Sequence, residues 1–364
     1  MASPGAGHRL RIGLVGAGLM GRLHARALAA LPDVQLVAAA EPDTASARAL
    51  LDIVPDARIH AGHEQLLAEG SLDAVIVATP ETAHREPVVA ALLRGLPVLV
   101  EKPMAVEAED GEAMLAAAER GGASLMVGYI LRFEPAYAAL HAAVESGTFG
   151  RPVAIYARRC ATIQEARRLG GRVSALVYLG VHDFDQVLWH HPVAVRRVSV
   201  RAARGRVWQE LGTPDTIWTT IDFEDGAVAV VESGWGLPEG WGGWQGRGGW
   251  SAFGDVRYDL TGTSGFGSID LRQMNLLGVD DQGWMFPETR HWPEVAGVPA
   301  GALHTQLEHF VDCVRTGRRP LVDGEQGLAV TRLLTMATRA LAEELAMPAG
   351  RADDLALPAE ARAP

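Results

Sequence analysis

Arg9-Leu10-Arg11-Ile12-Gly13-Leu14-Val15 runs directly into Gly16-Ala17-Gly18-Leu19-Met20-Gly21, and Arg22 to Leu31 follow as a helical segment. A β-type run, a G-x-G-x-x-G turn and a helix, in that order, make the phosphate-binding fingerprint of dinucleotide-binding α/β domains. Each glycine has a physical task. Gly16 permits the tight turn, Gly18 lets a pyrophosphate approach the backbone, and Gly21 lets helix and strand pack closely. The helix N-terminus then faces the phosphates with its free N–H groups.

Outward from this turn, a second apolar run, Val34 to Ala40, ends at Glu41, 25 residues after Gly16. A carboxylate there can hold the adenosine ribose hydroxyls and repels a 2′-phosphate. The nearest downstream cation, Arg48, falls a turn or more into the next helix. NAD is therefore expected in preference to NADP. The pattern then alternates: strand Asp73–Ala78, helix Ala83–Arg94, strand Pro97–Val100, helix Val106–Glu119 and strand Ser124–Val127. Such alternation builds a parallel, doubly wound sheet, whose ligands gather beyond the C-terminal strand ends. Thr79-Pro80 with His84, Glu101-Lys102-Pro103 and Gly128-Tyr129 all follow strand ends, so they are expected on that edge.

Lys102 is the only lysine among 33 basic residues; the others are arginine. A surface charge or phosphate contact can be carried by either type, but only lysine can become neutral and exchange a proton when partly buried. Its place directly after the apolar run Pro97–Val100 makes Lys102 the candidate acid–base residue.

Composition narrows the class. With 364 residues, 48% hydrophobic and 21% charged, the chain is long enough for two domains. A net charge of −11 argues against a nucleic-acid footprint. No apolar run reaches the ~18 residues of a membrane span. The start carries no hydrophobic signal core, so a cytoplasmic protein is expected. Cys160 and Cys313 form neither a disulfide framework nor a metal-ligand set, and no metal site is expected; His190-His191 reads as a helix end.

The second half changes character. Phe133 to Glu145 reads as a connecting helix, followed by strand-like segments at Val153–Arg159, Val195–Ala203, Thr216–Phe223, Val228–Glu232, Val256–Thr261 and Gly267–Leu271. Asp225-Gly226 signals a hairpin between two of them. A helix is expected to start at His182. Leu303, Leu307, Phe310, Val311 and Val314 form a helical stripe closed by Gly317, and a last helix spans Gly324 to Leu345. The expected organisation is a nucleotide domain over 1–127, an α+β domain over 128–345 whose late helices (302–345) pack back on the first, and a frayed tail over 346–364. Six of nine tryptophans lie between 235 and 292, four of them among glycines in 235–250. Trp235 and its neighbours suit a roof over a sugar face, an oligomer contact or a self-packed loop.

Taken jointly, Gly16–Gly21, Thr79-Pro80 with His84, Glu101-Lys102-Pro103, Gly128-Tyr-Ile-Leu-Arg132-Phe133, Gly180-Val-His182-Asp183-Phe-Asp185 and His309–Gly317 resemble the glucose–fructose oxidoreductase / inositol dehydrogenase / rhizopine catabolism (Gfo/Idh/MocA) family over about residues 9–345. The resemblance implies an α/β Rossmann domain plus a C-terminal α+β domain with an open, mostly antiparallel sheet. It implies hydride transfer between a nicotinamide and a carbinol or carbonyl carbon of a sugar or cyclitol. It makes Lys102 the catalytic lysine, places Glu101 by the nicotinamide ribose, and puts His182 near the reacting hydroxyl. Tyr129, Arg132, Asp183 and Trp235 are the candidate substrate contacts. The frequent aspartate four residues before that histidine is replaced by Tyr178, a candidate catalytic residue that can donate a hydrogen bond to a substrate hydroxyl or take part in a proton relay. Leu19 and Met20 join the cofactor contacts, and a homodimer or homotetramer is expected.

The expected function is an NAD(H)-dependent sugar or cyclitol dehydrogenase. Alternatives are an NADPH-dependent keto-sugar reductase, a redox-neutral glycosidase-type enzyme with tightly held NAD, and a nucleotide-sensing regulatory protein. A sensor has no need for the proton donor Lys102.

Overall fold

The structure, a computed structural model, describes residues 9–239, 254–271, 278–280, 283–285 and 289–347. Its first sheet is built from β1 (Leu10–Val15), β2 (Val34–Ala40), β3 (Arg58–His60), β4 (Ala74–Val77), β5 (Val98–Val100) and β6 (Leu125–Val127), all parallel, in the order β3-β2-β1-β4-β5-β6. Helices α1 (Leu19–Ala29), α2 (Thr44–Leu51), α3 (His63–Leu67), α4 (Arg85–Leu92) and α5 (Ala108–Gly121) connect them. Strands β4 and β5 have no solvent exposure at any residue. Both faces of a parallel sheet are covered by its crossovers, and continuous apolar strands such as Ala74-Val-Ile-Val77 meet that demand.

The chain crosses to a second unit through a short turn at Ile130–Phe133 and α6 (Pro135–Glu145), whose N-cap Glu134 accepts N–H bonds from Ala136 and Tyr137. There follow β7 (Pro152–Thr162), α7 (Ile163–Leu169), a π-helical turn (Leu176–Gly180), α8 (Val181–His190), β8 (Val195–Ala203), α9 (Arg206–Leu211), β9 (Thr216–Phe223), β10 (Val228–Leu237), β11 (Asp255–Gly262) and β12 (Phe266–Asp270). Their sheet runs β12-β11-β7-β10-β9-β8, with only the β7–β10 pair parallel. The hairpin at Asp225-Gly226 joins β9 and β10, with Gly226 at φ +87°.

The last helices return to the first unit. α10 (Gly301–Thr316) packs on α1 and on the Ile130–Phe133 turn, and ends at Gly317 with φ +71°. α11 (Gly324–Ala346) packs on α5, α8 and β8, and Asp323 caps its start by accepting the Gln326 N–H at 3.0 Å. The two sheets therefore share one set of late helices, which fixes the edge of the first against the second.

One expectation is corrected. The chain does not begin a helix at His182. The π-helical turn Leu176–Gly180 runs straight into α8, so the free N–H end lies upstream of His182. Most of the tryptophan- and glycine-rich stretch (240–250) and the tail beyond 347 lie outside the described residues.

Candidate active site

The C-terminal ends of β1, β4 and β5 open on a cleft lined by Gly18, Leu19, Met20, Thr79, Pro80 and Glu101 on one side and by Arg168, Arg172 and Tyr178 on the other. The glycine turn fits a dinucleotide. Gly16 has φ +92°, and a Cβ there would sit 2.7 Å from the Ala78 carbonyl oxygen. A Cβ on Gly21 would lie 2.0 Å from the Gly16 oxygen, so helix and turn can touch only with glycine present. A Cβ on Gly18 would meet nothing within 4 Å, which leaves open space for a pyrophosphate over the turn. No side chain caps the start of α1, so its N–H groups remain available to an anion. At the end of β2, Glu41 accepts the N–H groups of Ala17 at 2.7 Å and Asp43 at 2.9 Å, which ties the end of β2 to the glycine turn.

A second cavity, about 850 Å³ in open volume, adjoins the cleft. Met20, Glu101, Lys102 and Tyr178 line both. Lys102 thus stands where the two spaces meet. Its Nζ donates to the backbone carbonyl of Tyr178 at 3.1 Å and sits 4.6 Å from the centre of the Tyr178 ring. The Tyr178 carbonyl belongs to the π-helical turn, a local widening that recurs at functional sites. Among the described residues no carboxylate forms an ion pair with Lys102. Burial lowers its pKa to about 8, with Arg159 helping and Glu101 and Glu81 opposing. A lysine so placed can hold or release a proton near neutral pH.

His182 lines the same cavity from the first turn of α8. Burial, then the charges of Lys102, Arg159 and His291, hold it well below the usual histidine value, so it is neutral. Among the described residues its buried Nδ1 has no partner. Tyr178 is oriented by two neighbours: its hydroxyl donates to Glu165 at 3.0 Å and accepts from Arg168 at 2.8 Å. Burial, with the Glu165 charge, raises its pKa, so it is no base.

Other candidates lie elsewhere. His84 is buried behind the cleft, with Nδ1 2.9 Å from the Pro103 oxygen and Nε2 3.0 Å from the Thr79 oxygen. It ties the Thr79-Pro80 turn to the Lys102-Pro103 turn and does not line the cleft. Arg132 is locked in a buried pair with Asp185 (Nη2–Oδ1 2.6 Å) and also donates to Gln326 at 3.0 Å. Asp183 is fully buried against Arg159, at 2.9 and 3.0 Å. Tyr129 lies in the core, and Trp235 sits behind Tyr178 with ring centres 5.7 Å apart. These four line neither cavity: Arg132 and Asp183 are buried charges paired in the core, and Tyr129 and Trp235 are buried rings.

Several lining residues escape a motif reading. Arg159 reaches the cavity from β7, Glu165 and Arg168 come from α7, and His291 and Trp292 precede α10. His24, on α1, is wholly buried with its Nε2 2.7 Å from Glu101 Oε1. The signal for His24 was its place three residues after Gly21 on the helix face that must meet the sheet.

A model described as an oxidoreductase family with an NAD-binding Rossmann fold matches residues 10–129, and one for the GFO/IDH/MocA C-terminal domain matches residues 137–266. The chain belongs to the Gfo/Idh/MocA oxidoreductase family. The rhizopine catabolism protein MocA of Rhizobium meliloti is 30% identical to this Gfo/Idh/MocA protein over 347 residues, covering 93% of this chain and 96% of its own. The scyllo-inositol 2-dehydrogenase (NAD(+)) of Bacillus subtilis is 26% identical over 328 residues, 86% and 89% of the two chains. In fold, the scyllo-inositol dehydrogenase of Lactobacillus casei, solved with NAD(H) and scyllo-inositol, superposes with a TM-score of 0.77 at 20% identity over 92% of this chain and 96% of its own. The first unit of this Gfo/Idh/MocA enzyme is therefore its NAD-binding domain, and the enzyme is an oxidoreductase acting on CH–OH groups.

Proposed function

We propose that this enzyme is an NAD(H)-dependent dehydrogenase of a sugar, sugar derivative or cyclitol, with Lys102 as its acid–base residue. The observation that carries the reading is the position of Lys102, shared between the dinucleotide cleft and the adjoining cavity. NAD, when bound, supplies the hydride acceptor. Gly18, Leu19, Met20 and the start of α1 would hold its pyrophosphate, Glu41 its adenosine ribose, and Glu101 its nicotinamide ribose. Neutral Lys102 takes the hydroxyl proton as the carbinol carbon gives up its hydride; in reverse, protonated Lys102 returns the proton to the new alkoxide. Neutral His182 orients the reacting hydroxyl.

The missing aspartate before His182 has a replacement within reach. Glu165, brought to the cavity by α7, supplies a carboxylate beside Tyr178. We assign it the acceptor role for a second substrate hydroxyl. The names of the relatives support a polyhydroxylated ring, and the apolar side chains of Leu179, Val256 and Trp292 offer surface to its C–H faces. The cytoplasm is the proposed compartment, in keeping with two free cysteines. A homodimer or homotetramer is proposed through the outer face of the second sheet, where Trp218 is exposed.

The deciding experiment follows NADH absorbance while sugars, sugar acids, cyclitols and glycosides are offered in turn. Reduction of NAD by at least one ring alcohol, and not by simple aliphatic alcohols, supports the reading. No NADH from any member of the panel, with NAD binding intact, would overturn it.

A further inference from the structure

We propose that His24 is a positioning residue of the proton-transfer site: it holds the Glu101 carboxylate in place and thereby keeps a negative charge beside Lys102. The inference rests on the role given to Lys102 above.

Glu101 is a buried carboxylate, 6% exposed, in the wall common to both cavities. Each of its oxygens has one donor. Oε1 lies 2.7 Å from His24 Nε2, and Oε2 accepts the backbone N–H of Lys102 at 3.1 Å. Gly128 closes the third side, where a Cβ would come within 3.3 Å of the carboxylate carbon. A buried carboxylate is costly unless hydrogen-bonded. Of its two donors, the backbone amide is an unavoidable neighbour, whereas His24 is brought from another element, α1. The imidazole is fully buried, and among the described residues its Nδ1 has no partner. Among those residues its sole hydrogen bond is to Glu101, which assigns the proton to Nε2.

The consequence falls on Lys102. Burial pushes Glu101 up, and the His24 bond and the Lys102 charge bring it below the usual carboxylate value. Without His24 the balance tips toward a protonated, uncharged Glu101. Lys102 then loses a negative neighbour and becomes a weaker base. The other groups facing Lys102 stay as they are: Glu81 from the turn after β4, Arg159 from β7, Glu165 from α7, Tyr178 from the π-helical turn, and His182 and His291.

Because Lys102 is the only lysine, its ionisation can be read directly. Protein labelled with 13Cε-lysine gives one lysine signal, and its chemical shift is followed against pH in the wild type, His24→Gln, His24→Asn and His24→Leu. Gln carries an amide donor out to the reach of Nε2, whereas Asn and Leu do not. The Lys102 midpoint should fall by about one unit in His24→Leu and His24→Asn, the size expected for losing one nearby charge at partial burial. In His24→Gln it should stay near the wild-type value. Equal midpoints in all four proteins would overturn the proposal, as would a fall in His24→Gln equal to that in His24→Asn. If the Leu variant does not fold, the Asn–Gln pair decides. The titration needs neither substrate nor turnover, so its failure and that of the dehydrogenase reading are separate results.

Discussion

The Nζ of Lys102, at the end of a strand in the NAD-binding domain, donates a 3.1 Å hydrogen bond to the backbone carbonyl of Tyr178 in the second domain. The Lys102 side chain therefore spans the seam between the two units. Lys102→Arg keeps a cation there but cannot cycle its charge. Turnover should fall at least ~100-fold, the lower range for general acid–base catalysis, while the NAD dissociation constant changes little. Steady-state kinetics and NAD titration of the variant check this; near-normal turnover would remove Lys102 from the role.

The pH dependence follows from the lowered pKa. Oxidation needs the neutral amine, which predominates above about 8. In that direction kcat/KM should rise about tenfold per unit at low pH and level off above this value. Reduction needs the protonated amine and should show the mirror trend. A flat oxidation profile between pH 6 and 9 would contradict the assignment.

His182 and Tyr178 should respond differently to truncation. The Tyr178 hydroxyl is held by Glu165 and Arg168, and the atom it offers Lys102 is its main-chain carbonyl. Tyr178→Phe keeps that carbonyl and the ring, so it should mainly raise the Michaelis constant for the alcohol. His182→Ala removes a neutral ring from the cavity wall and should lower kcat more. Loss of turnover in Tyr178→Phe with His182→Ala intact would reverse the roles.

Glu41, proposed to hold the adenosine ribose, also ties Ala17 to Asp43 in this structure. Glu41→Ser should weaken NAD binding and narrow the preference over NADP. Equal kcat/KM of the wild type with both cofactors would deny Glu41 any discriminating role.

Arg132 and Asp185 are 2% and 1% exposed and form a bidentate pair. Removing one partner leaves a buried charge alone, a loss of about 3–5 kcal/mol. Arg132→Met should therefore lower the midpoint of urea unfolding strongly. An unchanged midpoint with a selective rise in the alcohol's Michaelis constant would instead return Arg132 to the substrate.

Much of this architecture is legible in the chain because the central strands are covered on both faces: Ala74–Val77 and Val98–Val100 are continuous apolar runs, and the glycine turn stands between strand and helix. β3 was not legible. Arg58–His60 is a three-residue edge strand of mixed polarity, with too little burial to impose a pattern. At the site, Lys102 stands out by residue type, and His182, singled out by its motif, lines the cavity. His182 is neutral through burial and nearby cations. Arg132 and Asp183 carry motif positions but meet their partners in the core, since pairing between β7, α8 and the Ile130–Phe133 turn is a product of tertiary packing. Arg159 and Glu165 were missed for the same reason: nothing local marks which side chains of β7 and α7 reach the cavity.

The division of labour at the seam has a practical side. Lys102, Glu101 and His24 come from the NAD-binding domain, while Arg159, Glu165, Tyr178, Leu179 and His182 come from the chain between β7 and α8. On the proposed roles, the proton-handling group and the surface that faces the rest of the alcohol are carried on separate stretches of one polypeptide. A chimera that keeps residues 9–129 and takes its second sheet from a relative could inherit a new substrate without rebuilding the chemistry. The contact that Lys102 itself makes across the seam is to a main-chain carbonyl, which is indifferent to the side chain that carries it.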